Sequence, residues 1–134
     1  MSDREHPYLH LIEIARNARK WAYVPYSHYQ VGAAVLTDSG RIYDGVNIEN
    51  AAYPVTVCAE RTAIFKAVSN GEKDFQAIAV VTKDGGAPCG SCRQVMAEFS
   101  PEMLVILADE NGKIKSESTL SALLPGAFGA DSLK

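Results

Sequence analysis

Cys58 and Glu60 stand two residues apart in CAERTAIF, and Cys89 and Cys92 close the stretch GAPCGSC. Thiols and a carboxylate together are the residue types of a metal site with a proton carrier beside it. Zinc takes cysteine sulfur at about 2.3 Å, and C-x-x-C spans two of its corners. Three protein ligands rather than four leave one position for water, which is the arrangement of a catalytic site. Glu60 next to that water reads as a general acid/base, a role typically worth about 10² to 10⁴ in rate. It does not read as a fourth ligand, because catalysis needs the open corner.

The charge count adds a demand. Three thiolates on one divalent ion leave the cluster negative, and this opposes the lowering of the water pKa that makes zinc useful. Arg61 lies three residues after Cys58, and Arg93 four after Cys89, so each is expected to share a helix face with a ligand and neutralise it. Plainer readings of the same residues exist. A C-x-x-C pair also serves redox chemistry. A histidine can complete a structural zinc site, and His28 is the candidate in the body of the chain. Arginines and a helix-start glutamate are also ordinary surface residues.

The elements that must position these groups follow from periodicity. Leu11, Ile14, Ala15, Ala18 and Ala22 mark one helix face, expected to end near Val24-Pro25. QVGAAVLT and RIYDGV around Asp38-Ser39-Gly40 read as a β-hairpin. CAERTAIFKAVSN reads as a helix with Thr56 as its N-cap and Gly71 as its C-cap. AIAVV is a short buried strand. Cys92, Val95, Met96 and Phe99 share the apolar face of another helix, which Ser100-Pro101 ends. MLVILA is a further strand, and Asn111-Gly112 turns into a last one. A short helix over Thr119 to Leu124 and a loose GAFGADSLK tail follow. Strands alternating with helices predict a three-layer α/β/α sandwich around a five-stranded mixed sheet, one domain over 1–134.

Composition excludes several classes. With 134 residues, 47% hydrophobic and 22% charged, the chain is neither disordered nor fibrous. A net charge of −3 without a Lys/Arg cluster argues against nucleic acid as a partner. No apolar run approaches the roughly 20 residues of a membrane span, and the charged start MSDREHPYLH does not read as a secretory signal. A cytoplasmic protein is expected, where three closely spaced cysteines serve as ligands rather than as a disulfide framework.

Cys58-Ala59-Glu60 followed by Pro88-Cys89-Gly90-Ser91-Cys92 resembles the zinc-dependent cytidine deaminase family. AYVPYSHYQVGAA, GVNIENAAY, CAERTAIFKAVS, PCGSCRQVMAEF and LLPGAF carry the resemblance, in that family's order, along nearly the whole chain. A cysteine as first ligand resembles the short-chain, homotetrameric branch. The resemblance implies one zinc per subunit on Cys58, Cys89 and Cys92, with Glu60 as proton shuttle. It further implies that Asn47 and Glu49 hold the ribose hydroxyls, that the backbone of Ala59 contacts the base, and that the backbone of Ala87 accepts from its exocyclic amine. Tyr29 would pack on the pyrimidine, and Phe128 would reach a neighbouring subunit's site. The implied reaction is deamination of cytidine and 2′-deoxycytidine in pyrimidine salvage, on a free nucleoside, with neither nucleic acid nor membrane as partner. A blasticidin S-type deaminase and a non-catalytic zinc-binding protein are the alternatives.

The residues support part of this directly, since Asn47 and Glu49, two apart on an extended segment, point to the same side. Three departures from the family pattern stand out. Tyr29 replaces a common phenylalanine, and its hydroxyl needs a partner. Val46 replaces a frequent cysteine that is not a ligand. The loop before Pro88 is short.

Overall fold

The structure, a computed structural model, describes residues 6–133. The first residues of the charged start, and the last of the tail, lie outside that range. The described chain runs α1 (Leu9–Ala18), β1 (Gly32–Thr37), β2 (Ile42–Val46), α2 (Ala59–Ser69), β3 (Phe75–Val81), α3 (Gly90–Phe99), β4 (Leu104–Ala108), β5 (Ile114–Thr119) and α4 (Leu120–Leu123). The strands form one sheet in the order β2-β1-β3-β4-β5. β3 and β4 pair in parallel and the other neighbours antiparallel, so the five-stranded sheet is mixed, as expected.

The alternation of side chains along each strand divides the core between two faces. Ala34, Ala77, Ala79, Val81 and Ile106 turn to Leu11, Ile12 and Ala15 of α1. Val35, Ile78, Val80 and Val105 turn to Ala63 and Ile64 of α2, Met96 of α3 and Leu120 of α4. Helices therefore cover both sides of the sheet, and three layers result.

Two glycines set how closely the helices approach. A Cβ at Gly32 of β1 would lie 2.0 Å from the Ala15 carbonyl oxygen of α1, and one at Gly45 of β2 would lie 2.4 Å from the Ala63 amide of α2. Both clashes are with backbone, which cannot swing aside. The missing side chain at Gly45 thus lets the first two turns of α2 seat directly on the hairpin.

The boundaries differ from expectation in three places. The first helix stops at Ala18, and one tighter 3₁₀ turn runs on to Trp21. Ala22 is extended because the Tyr23 amide donates to the Asn47 carbonyl and the Tyr23 carbonyl accepts from Glu49, which withdraws the segment from the helix. Thr56 is not the cap of α2; its hydroxyl accepts from the Asn50 amide, and Cys58 occupies the N-cap. The tail is not wholly irregular, since Ala130–Leu133 form a 3₁₀ turn. Gly71, with φ of +86°, ends α2 as expected.

Candidate active site

Cys58 and Cys89 hold the same position on two helices. Each is an extended N-cap residue, with ψ of 155° before α2 and 167° before α3. Cys92 lies in the first turn of α3, buried, and its amide donates to the Cys89 sulfur over 3.4 Å. The Cys58 and Cys89 sulfurs are 3.8 Å apart, those of Cys89 and Cys92 3.3 Å, and all three lie within 4.8 Å of one another. All are free thiols. Two sulfurs on a tetrahedral zinc stand about 3.8 Å apart at the usual bond length. The three donors fit that ion in type and spacing. His28 is not in the group; it sits at φ of +60° in the turn after Tyr26.

Helix starts favour negative charge at the sulfurs. The Cys58 thiol is held well below its ordinary range by a hydrogen bond from Cys92, and further by Arg61. The Cys92 thiol is pushed upward by the same contact and by burial. Arg61 Nη2 lies 3.4 Å from the Cys58 sulfur and also donates to the Thr56 carbonyl. Its Nε is buried without a partner. Arg93 behaves otherwise. Its Nε donates to the Pro88 carbonyl at 2.9 Å and its Nη1 to the Leu123 carbonyl at 2.9 Å, so the guanidinium ties the cysteine loop to α4 and is not turned to the thiols. The expected symmetry of the two arginines is absent because the Pro88 and Leu123 carbonyls take the Arg93 guanidinium, while Arg61 donates to the Cys58 sulfur and the Thr56 carbonyl.

Glu60 is 4% exposed, in the first turn of α2. Burial pushes its carboxyl up to about 7, and the neighbouring Cys58 charge adds to the rise. Cys58, Glu60 and Cys89 line one cavity of about 160 Å³, together with Tyr29, Asn47, Ala59 and Ala87. Four separate stretches of the chain, at 29, 47, 58–60 and 87–89, therefore share one concave wall.

Asn47 and Glu49 are both committed to the segment before β1. The Asn47 side chain accepts from the Val31 amide at 3.0 Å and donates to the Tyr29 carbonyl at 2.8 Å. Glu49 accepts from the Tyr26 and Ser27 amides at 3.1 Å each and from the Ser27 hydroxyl. These bonds hold its carboxyl below the usual range, the Ser27 hydroxyl first among them. Glu49 lines a second cavity, with Ser27, Asn50 and Tyr53. Phe128 is not brought to the cavity that holds the sulfurs. It is exposed beside Ala97 and Pro101, its carbonyl accepting from Gln94.

Three contributors were not singled out from sequence: Ser27, Thr82 and Asp84. The Tyr29 hydroxyl donates to Asp84 Oδ1 at 2.6 Å, and Thr82 donates to the same oxygen at 3.3 Å. The available signal was Tyr29 itself, whose hydroxyl demanded a partner.

A five-stranded mixed sheet between helix layers, with two helix N-termini bringing thiols and a carboxyl to one cavity, defines a zinc-dependent deaminase. A model of the cytidine and deoxycytidylate deaminase zinc-binding region matches residues 6–108. The chain is 54% identical over 126 residues to a cytidine deaminase of Sporosarcina psychrophila, covering 92% of each. It is 56% identical to one of Halalkalibacterium halodurans, covering 92% of this chain and 95% of that protein. A crystal structure of cytidine deaminase from Burkholderia pseudomallei superposes with a TM-score of 0.86 at 44% identity, over 92% of this chain and 100% of that one. The chain belongs to the cytidine and deoxycytidylate deaminase family.

Proposed function

We infer that the protein hydrolyses cytidine, and 2′-deoxycytidine, to the uracil nucleoside and ammonia, as one domain over residues 1–134. The observation that carries this is a cluster of three thiols, two of which, Cys58 and Cys89, line a single cavity together with the buried Glu60 carboxyl. Cys58, Cys89 and Cys92 would hold a zinc ion, which would supply the Lewis acid that makes water nucleophilic near neutral pH. Glu60 does the proton work. Its carboxyl takes a proton from the attacking water and delivers it to the ring nitrogen N3. It then takes the proton of the new C4 hydroxyl and hands it to the amine, so that the C4–O bond becomes a carbonyl as the C4–N bond breaks and ammonia leaves. Water and cytidine go in; uridine and ammonia come out. Arg61, within reach of Cys58, offsets the negative charge of the thiolates. The apolar body of the cavity, Tyr29 included, receives the pyrimidine, with the Ala59 and Ala87 backbones facing its polar edge. Asn47 and Glu49 take the ribose hydroxyls.

Loss of cytidine absorbance in the ultraviolet, followed with the zinc-loaded protein, tests the reaction. A blasticidin-S deaminase of Bacillus cereus is 37% identical over 127 residues, so blasticidin S belongs in the same assay. Turnover of blasticidin S without turnover of cytidine would replace the proposed substrate. Binding of zinc without turnover of either would leave a non-catalytic metal protein.

We also propose a homotetramer whose active sites are shared between subunits, with Phe128 of one copy serving the next. Exposed Trp21, Tyr53, Val55 and Phe128 support an apolar contact between copies. Light scattering reads the assembly. Among the described residues no helix is long and apolar enough to cross a membrane. Reduced thiols that must remain ligands support a place in the cytoplasm.

A further inference from the structure

Tyr29 is anchored at both ends. At its backbone, the carbonyl accepts from Asn47 Nδ2 at 2.8 Å and the amide donates to the Ser27 hydroxyl at 3.0 Å, which in turn donates to Glu49. At the far end of the side chain, its hydroxyl donates to Asp84 Oδ1 at 2.6 Å. That oxygen also accepts from the buried Thr82 hydroxyl, which accepts from the Gly85 amide at 2.7 Å and the Gly86 amide at 3.0 Å. The Tyr29 oxygen is so close over this turn that a Cβ at Gly86 would sit 3.7 Å from it. Hydrogen bonds joined through the Tyr29 side chain therefore run from Asn47 and Glu49 on one side to the loop bearing Ala87 and Cys89 on the other. Tyr29 is the link that both halves share, and its ring forms cavity wall between them.

We propose that Tyr29 and Asp84 are positioning residues that latch the two rims of the substrate cavity together and thereby set the tilt of the aromatic wall against the pyrimidine. A phenylalanine at position 29 supplies the ring but not the latch. Asp84 lies two residues beyond Thr82, which directly follows β3, in the loop that leads to Pro88. The polar tip of the tyrosine is thus held at the rim and its apolar face left to the base. Asp84 touches neither sulfurs nor Glu60, so the latch acts on substrate binding and not on the proton transfers.

This inference rests on the proposed cytosine nucleoside substrate, and the test separates the two. Steady-state kinetics on cytidine are measured for the zinc-loaded wild type, Tyr29→Phe, Asp84→Ala, Asp84→Asn and the Tyr29→Phe/Asp84→Ala double variant. Amide hydrogen exchange over residues 83–87 is measured on the same proteins. Each of Tyr29→Phe and Asp84→Ala is expected to raise KM about fivefold with kcat within about twofold, the mark of lost uniform binding. The double variant should be no worse than either single one, because one link is cut only once. Asp84→Asn keeps the accepting oxygen and should restore KM. Exchange over 83–87 should quicken in Tyr29→Phe and Asp84→Ala and not in Asp84→Asn. Additive losses, an Asp84→Asn variant as poor as Asp84→Ala, a fall in kcat at constant KM, or unchanged exchange would each overturn the latch. Quickened exchange in a protein whose wild type leaves cytidine untouched would sink the substrate and keep the latch.

Discussion

α2 and α3 each begin with an extended cysteine at the N-cap, and each carries an arginine about one turn further on. From there they diverge. In α2 the second residue after the cysteine is Glu60, buried against the sulfurs, and Arg61 turns back to Cys58. In α3 the equivalent second residue is Ser91, exposed, the third is the ligand Cys92, and Arg93 spends its guanidinium on two carbonyls. On the proposed reading, one helix start carries the proton chemistry, and the other offers two of the three thiols of the candidate metal site and fastens them down. The lesson is that a shared anchor, an N-cap thiol, can support unlike duties, separated by one residue of spacing.

Variants taken in pairs probe the two helix starts. Stripping the metal with a chelator acts on both helices at once. Turnover should vanish and return with zinc, and Tm should fall, since a ligand bound only to the native state stabilises it. Glu60→Gln should cost about 10² to 10⁴ in kcat, with zinc content by metal analysis unchanged, whereas Ser91→Ala should leave both alone. An active Glu60→Gln protein would end the assignment of α2. Arg61→Gln is expected to lower kcat about tenfold, in line with loss of a charge-assisted contact, at nearly wild-type Tm. Arg93→Gln should do the reverse. Kinetics stay close to wild type, while the orphaned carbonyls of Pro88 and Leu123 cost about 1–3 kcal/mol, read as several degrees of Tm. Equal kinetic losses at the two arginines would restore the symmetry that their spacing suggested. Two glycines are read in stability alone. Gly45→Ala drives a methyl into the α2 backbone and should destabilise by about 1–3 kcal/mol. A Cβ at Gly90 meets nothing within 4 Å, so Gly90→Ala should be neutral or stabilise by up to about 1 kcal/mol. Thermal melts distinguish them.

Much of this was legible beforehand because it depends on local rules. Buried strands such as β3 and β4 announce themselves as unbroken apolar runs, and Gly71 marked the end of α2 through its backbone freedom. Cys58, Glu60, Cys89 and Cys92 were legible because sulfur chemistry tolerates few spacings. What escaped depends on partners distant in sequence. The early end of α1 comes from Tyr23 pairing with residues 47–49, which nothing near Ala18 encodes. The partners of Arg93 are not legible in sequence because they are carbonyls, present at every residue and therefore invisible as a pattern. Thr56 was taken for a cap because the competing amide of Asn50 lies on a loop that periodicity does not describe. The Tyr29–Asp84 pair spans 55 positions, and only the unmet hydroxyl hinted at it.

The amide of Asn47 has one further implication. Its oxygen faces a backbone donor and its nitrogen a backbone acceptor, so flipping the group by half a turn would set like against like at both ends. An aspartate of the same shape would press a negative oxygen on the Tyr29 carbonyl. Once those two partners are served, one lone pair and one N–H remain. On the proposed substrate, that remainder would match a sugar hydroxyl, which both gives and receives, and the two backbone bonds would fix its orientation beforehand.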